Sequence, residues 1–278
     1  AEEQPVLPKG NNLSLHLLEL FTSRVAKVGM TDGIRQVLQE ESDALRAYYE
    51  QAGILIARPA GGTSCRLAIS AKGGTNAENH NHNDVGSYAV ALGSETMVGD
   101  QGGPNSYPGD YFNGDAPQKY KIKGSFGHPV PVVDGRTQSS GGKAKGVVLQ
   151  KEFTNEKDVF SINYTSAYST PNLDKLIRTF VYDRQGKGSF TVGDEFTAKT
   201  PIRFETAITT RADWKILDDT HLLLATDSEQ MIVAIEASGK VAFTSETIEV
   251  NSPAYTRIGI ALKNQSKEGY IRLKMYTK

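Results

Sequence analysis

Beyond Gly53 the chain is cut into short apolar runs separated by turn residues, and that punctuation confines it to a β architecture. Runs at 54–58, 65–70, 147–149, 159–163, 176–182, 189–192, 202–208, 221–225, 231–235, 258–262 and 270–276 are each too short for a globular helix. Several alternate apolar and polar residues, as in Ile258-Gly-Ile260-Ala-Leu262 and Ile271-Arg-Leu273-Lys-Met275. A strand with one buried face has this period of two. Turn signals such as Asp183-Arg-Gln-Gly186 and Ala237-Ser-Gly239 separate the runs. Many short strands at this spacing predict an antiparallel sandwich or barrel over residues 53–278.

Residues 1–52 read differently. Leu13, Leu17, Leu18, Leu20, Phe21, Val25 and Val28 fall at helical spacing, and Gly29 ends the run. Thr31-Asp32 caps a second predicted helix, whose apolar face is Ile34, Val37, Leu38, Leu45, Tyr48 and Tyr49. Two amphipathic helices cannot bury a core alone, so they must pack on the β domain or belong to a larger helical unit.

Composition narrows the function. With 278 residues, 38% of them hydrophobic, and a net charge of -1, the chain has no basic stripe for nucleic acid. No apolar stretch approaches the length of a membrane span. A local cluster of Arg and Lys can still hold an anionic polymer. Cys65 is the only cysteine, so no intrachain disulfide forms, and it reads as a small buried hydrophobe.

The chemistry concentrates in Glu78-Asn79-His80-Asn81-His82-Asn83-Asp84-Val85-Gly86-Ser87-Tyr88. Read as a strand, this stretch puts His80, His82 and Asp84 on one face, with neighbours about 6–7 Å apart. Such a face is too polar for a core. A histidine pair alone is a weak signal, since surface pairs are common. Two further residues add weight. Asp100 ends an apolar run, where a carboxylate is costly unless paired or metal-bound, and His128 sits between Gly127 and Pro129. Imidazoles and carboxylates together make a zinc-type donor set. The intervening stretch 99–146 is rich in Gly, Pro, Asn and Tyr, the composition of a long functional loop, and tyrosines can stack on sugar rings. A cupin also uses a histidine pair on a sheet, but it needs a glutamate where Gly86 and Ser87 stand here.

Three motifs in order carry a closer resemblance: His80-Asn-His82-Asn-Asp84-Val-Gly86-Ser87, then Val98-Gly-Asp100-Gln-Gly102, then His128-Pro-Val-Pro-Val-Val-Asp134-Gly135-Arg-Thr-Gln138. Together they resemble the heparinase II/III-like polysaccharide lyases, and the strand, turn, strand and carboxylate of 178–194 are similar to that family's later sandwich. The chain departs from the pattern at Asn79, where glycine is common, and at Pro129, where asparagine is common.

The resemblance implies an antiparallel β-sandwich of the heparinase II/III-like type at 53–278, preceded at 1–52 by two helices from the end of an N-terminal α/α toroid. It implies a lyase that cleaves uronate-containing polymers by β-elimination in the full-length protein, in the bacterial periplasm or outside the cell. It assigns a structural zinc to His82, Asp100 and His128, and leaves His80 facing the cleft as the catalytic residue. Tyr107 and Tyr111 lie in the loop expected to touch sugar. Asp84 either orients a ligating imidazole or is a strand-end carboxylate bonded to backbone. The family's tyrosine and its carboxylate-neutralising residue belong to the toroid, so this chain alone is expected to be inactive. The competing expectation is a non-catalytic, metal-stabilised sandwich that binds carbohydrate. The polymer stays open among heparan sulfate, hyaluronan or chondroitin, and alginate.

Overall fold

A computed structural model describes residues 44–78, 80–250 and 252–278. The expected first helix and the start of the second lie outside these residues. The chain opens with β1 (Arg46–Tyr49), β2 (Ile54–Ala57), β3 (Leu67–Lys72), β4 (Thr75–Asn76), β5 (Tyr88–Leu92) and β6 (Glu95–Val98). A long loop then carries the four-residue helix α1 (Ala116–Lys119) and a 3-10 turn at Ser125–Gly127. There follow β7 (Val132–Val133), β8 (Gly141–Lys145), β9 (Val147–Phe153), β10 (Lys157–Asn163), β11 (Leu173–Asp183), β12 (Ser189–Ile202) and β13 (Phe204–Thr210). The chain closes with β14 (Asp213–Asp218), β15 (His221–Ala225), β16 (Gln230–Ala237), β17 (Val241–Val250), β18 (Ser252–Leu262) and β19 (Ser266–Thr277).

The mainly β, antiparallel architecture expected from the punctuation is present. Eight strands form the largest sheet, in the order β14-β15-β16-β19-β12-β11-β10-β9. Facing it are a five-stranded sheet, β1-β2-β3-β5-β6, and a four-stranded sheet, β17-β18-β13-β7. These two meet where the Gly99 N–H, just after β6, donates to the Thr209 carbonyl of β13 at 3.1 Å. One apolar core draws on all three sheets, with Leu67, Ile69 and Val90 from the first, Phe180 and Phe190 from the large sheet, and Phe204, Ile258 and Ile260 from the third. Alternation decides which residues enter it. Along β11 the buried positions are Leu176, Arg178, Phe180 and Tyr182, and along β12 they include Phe190, Val192, Asp194 and Phe196.

One helical expectation is corrected. Tyr48 and Tyr49, assigned by spacing to the end of the second helix, lie in β1, which pairs with β2 along its whole length from Arg46↔Ala57 to Tyr49↔Ile54. Tertiary contacts hold it there. Tyr48 packs 5.7 Å from Phe153 and 5.8 Å from Phe160, and Arg46 Nε donates to Asp158 at 2.7 Å. The sheet therefore begins ahead of Gly53. No helix among the described residues is long and apolar enough to cross a membrane.

Candidate metal centre and the cleft beside it

The stretch expected to be a strand is a loop. His80 to Ser87 runs between β4 and β5, and His80 has φ +59°, a left-handed conformation foreign to strands. Side chains elsewhere take up the loop's backbone groups. Asn76 Oδ1 accepts the Asp84 N–H at 3.0 Å, Gln138 Oε1 accepts the Val85 N–H at 3.0 Å, and Gln138 Nε2 donates to the Val85 carbonyl at 2.7 Å. The Asn83 N–H donates to the Lys123 carbonyl at 2.9 Å, which ties this loop to the one leading to His128. At Gly86, φ is +87° and a Cβ would press on the Tyr164 ring at 3.3 Å. That position needs glycine for both reasons.

Because the backbone is not extended, the two histidines part company. His82 joins Asp100 and His128, with one ligand atom from each lying within 4.8 Å of the others. His80 is exposed and rests 4.5 Å from the Phe112 ring, in a pocket that Asn81, Asn83, Lys123 and Ser140 also line.

His128 is wholly buried. Its Nε2–H donates to the Ile122 carbonyl at 3.1 Å, so in the neutral tautomer this bond selects, Nδ1 carries the lone pair. That Nδ1 has no hydrogen-bond partner among the described residues and lies 3.7 Å from Asp100 Oδ1. A buried lone pair left without a donor is costly, and a metal ion satisfies it. Asp100 accepts the Gly102 N–H at 2.8 Å. Burial raises its pKa, but the two imidazoles and that N–H outweigh burial and hold it below the usual carboxylate range. Burial, then the neighbouring His128, pulls the His82 pKa down to about 4. At neutral pH His82 is thus a neutral imidazole and Asp100 a carboxylate, the forms in which each ligates a metal. These three residues can hold a metal ion.

The remaining predicted residues fall into place around this centre. Tyr111 is not open to solvent. It is 1% exposed, and its hydroxyl lies 3.2 Å from His82 Nε2. Burial, then Tyr107, raises its pKa, so it stays a neutral phenol beside the imidazole. Tyr107 is 42% exposed and packs 5.0 Å from the Tyr111 ring. Asp84 does not reach an imidazole by a hydrogen bond; its carboxylate pairs with Lys72. Tyr111 also anchors the long loop, in a small apolar cluster with Ile122, Ile248 and Tyr255. The Tyr255 hydroxyl donates to the Gly127 carbonyl at 2.9 Å, and a Cβ at Gly127 would collide with the Lys121 carbonyl oxygen. The turn that delivers His128 is therefore tightly packed.

Two charged side chains beside these loops are not marked by the sequence. Lys123 lines the His80 pocket, although it reads as one of three alternating loop lysines. Arg178 sits under both histidine loops. Its Nε and Nη2 donate to Asp194 at 2.7 and 2.6 Å, and its Nη1 donates to the carbonyls of Gly86 and Pro129 at 2.7 and 2.8 Å. The available signal was a charged residue at an inward position of each strand of the β11–β12 hairpin, where Arg178 and Asp194 are direct cross-strand partners.

No protein-family model and no curated protein matches the chain. Solved structures do. A crystal structure of heparinase III superposes with a TM-score of 0.66 at 18% identity, over 84% of this chain and 36% of the other. A heparan sulfate lyase from Pedobacter heparinus superposes with a TM-score of 0.68 at 13% identity, over 87% of this chain and 39% of the other. The chain thus spans well under half the length of the structures it matches. Its fold, three large antiparallel sheets and a two-stranded one around one core, is that of the C-terminal part of heparinase III.

Proposed function

We propose that this chain is the sandwich part of a polysaccharide lyase that cleaves uronate-containing polymers by β-elimination, and that a helical domain of the longer protein forms the other wall of its cleft. The observation that carries the reading is the separation of the two histidines. One is half-buried beside a carboxylate and a third imidazole, and its neighbour is exposed in a polar pocket. The heparinase III fold and the partial coverage of those longer structures support it. An exported location, periplasmic or extracellular, follows from the same reading.

His82, Asp100 and His128 would hold zinc, which supplies a cross-link between the two histidine loops. Lys72 neutralises Asp84 and fixes the base of the first loop. His80 is the group left to do chemistry. In the elimination a base takes the C5 proton, the C4–oxygen bond breaks, a C4–C5 double bond forms, and the departing oxygen receives a proton. An exposed imidazole is the side chain chemically suited to proton transfer there. Tyr107, exposed and 5.1 Å from the Phe112 ring, would stack on a sugar ring.

The test is His80→Ala in the full-length enzyme, following the ultraviolet absorbance of the new conjugated double bond. Turnover should fall by about 10²–10⁴ with metal content and melting temperature unchanged. Turnover within a few-fold of wild type would remove His80 from the chemistry.

A further inference from the structure

The loop between α1 and His128 carries three lysines at alternating positions, and they have different fates. Lys119 pairs with Asp110 and Lys121 with Glu246, both at the surface. Lys123 is only 5% exposed and has no carboxylate partner among the described residues. Its Nζ donates to the Tyr111 carbonyl at 2.5 Å and lies 4.9 and 5.0 Å from the ring centres of Tyr111 and Phe112. An ammonium has three donors, and one neutral carbonyl with two aromatic faces does not repay its desolvation.

The position of Lys123 is built, not incidental. Its N–H donates to the Tyr120 carbonyl of its own loop and its carbonyl accepts from Asn83 of the histidine loop, each at 2.9 Å, so its backbone is fixed on both sides. Phe112 touches both the Lys123 ammonium and the His80 imidazole. The pocket that Lys123 shares with His80 has amide and hydroxyl groups at Asn83 and Ser140, which bond each other at 3.0 Å. Its one carboxylate, Glu78, is exposed and already accepts from Thr75 at 3.1 Å.

We propose that Lys123 holds the anionic group of an acidic sugar in the His80 pocket, a carboxylate or a sulfate, and so supplies countercharge from the sandwich side of the cleft. The assignment rests on the polysaccharide reading for the identity of the sugar, but not on catalysis. An anion drawn to a buried, unpaired ammonium gains a charge-assisted hydrogen bond of the strong kind.

Calorimetric titration of this chain tests it with three tetrasaccharide probes: one unsulfated and carrying glucuronate, its carboxyl-reduced counterpart, and a sulfated neutral one. The carboxylated probe should bind about 10–100-fold more tightly than its reduced form, and Lys123→Met should erase the difference while Lys123→Arg keeps part of it. If only the sulfated probe binds, and Lys123→Met abolishes that binding, the anion site stands and its ligand is sulfate. The comparison of probes on the wild-type chain needs no variant, so it holds even if Lys123→Met fails to fold. Equal affinity for all three probes, no saturable binding at millimolar concentration, or unchanged binding by folded Lys123→Met would overturn the proposal. Cleavage by the full-length enzyme is scored separately. Intact Lys123-dependent binding with no cleavage would remove the lyase reading and leave the anion site standing.

Discussion

Two charged centres lie side by side in this sandwich, and they are finished to different degrees. Around Arg178 every donor is used. Nε and Nη2 meet both oxygens of Asp194, Nη1 meets the Gly86 and Pro129 carbonyls, and the last Nη2 donor meets the Thr206 hydroxyl at 3.1 Å. Asp194 accepts in addition from Tyr164 and Thr206, at 2.6 and 2.8 Å. Around His128 the protein stops short: Nδ1 is buried and unpartnered, with a carboxylate at 3.7 Å and a second imidazole whose ring centre is 5.1 Å away. A closed network of this kind is part of the fold, whereas an open one is completed by something the polypeptide does not itself provide. The two are coupled, because the carbonyls that Arg178 holds belong to the loops that carry His82 and His128.

Breaking the closed centre should have the largest effect. Arg178→Met leaves Asp194 buried without its cation and strands two loop carbonyls, a loss of about 3–5 kcal/mol. Denaturant unfolding reads this directly, and a midpoint close to wild type would mean that the network is ornamental. Replacement by lysine should not rescue it, since one ammonium cannot bridge a carboxylate and two carbonyls in this fork geometry.

The open centre should respond to metal where the closed one does not. Protein purified without chelator should carry one zinc, and His128→Ala should lose it. With the ion about a thousandfold above its Kd, the stabilisation is about 4 kcal/mol. Elemental analysis with melts before and after chelator checks this. A melt that chelator leaves unmoved, in protein without stoichiometric metal, would erase the contrast between the centres.

The smallest expected effect is in the metal-free protein. His82 titrates at about 4 when folded, against an ordinary value of 6.5. Between those values the unfolded chain takes up a proton at this position that the folded chain refuses. Stability is therefore fully present above about pH 6.5 and falls as pH drops toward 4, by on the order of 3 kcal/mol at most. His82→Gln should flatten that slope. Parallel stability–pH profiles for variant and wild type would show that burial of His82 is not what shapes acid unfolding.

The sequence by itself determined the architecture class and the members of the candidate metal centre. Alternation marked the strands because a sheet with one buried face has a period of two, and most of the short apolar runs are strands here. It was blind to β14 and β17, whose side chains are largely exposed or half-buried and so leave no apolar stripe. His82, Asp100 and His128 were legible because two imidazoles and a carboxylate in awkward apolar or proline-flanked settings are unusual enough to need a reason. What the sequence could not determine was direction. A strand would have set His80, His82 and Asp84 on one face, but Asn76, Gln138 and Lys123 take up the loop's backbone groups, and so His80 turns to a polar pocket, His82 to the candidate metal centre and Asp84 to Lys72. The same limit hid Lys123, whose neighbours at 119 and 121 look identical in sequence, and the strand at Tyr48, where local spacing favours a helix. In each case the deciding partner is distant along the chain: Phe160 for Tyr48, Asn83 for Lys123, Gln138 for the histidine loop. Local pattern reports how much of a side chain is buried, and only tertiary packing decides against what.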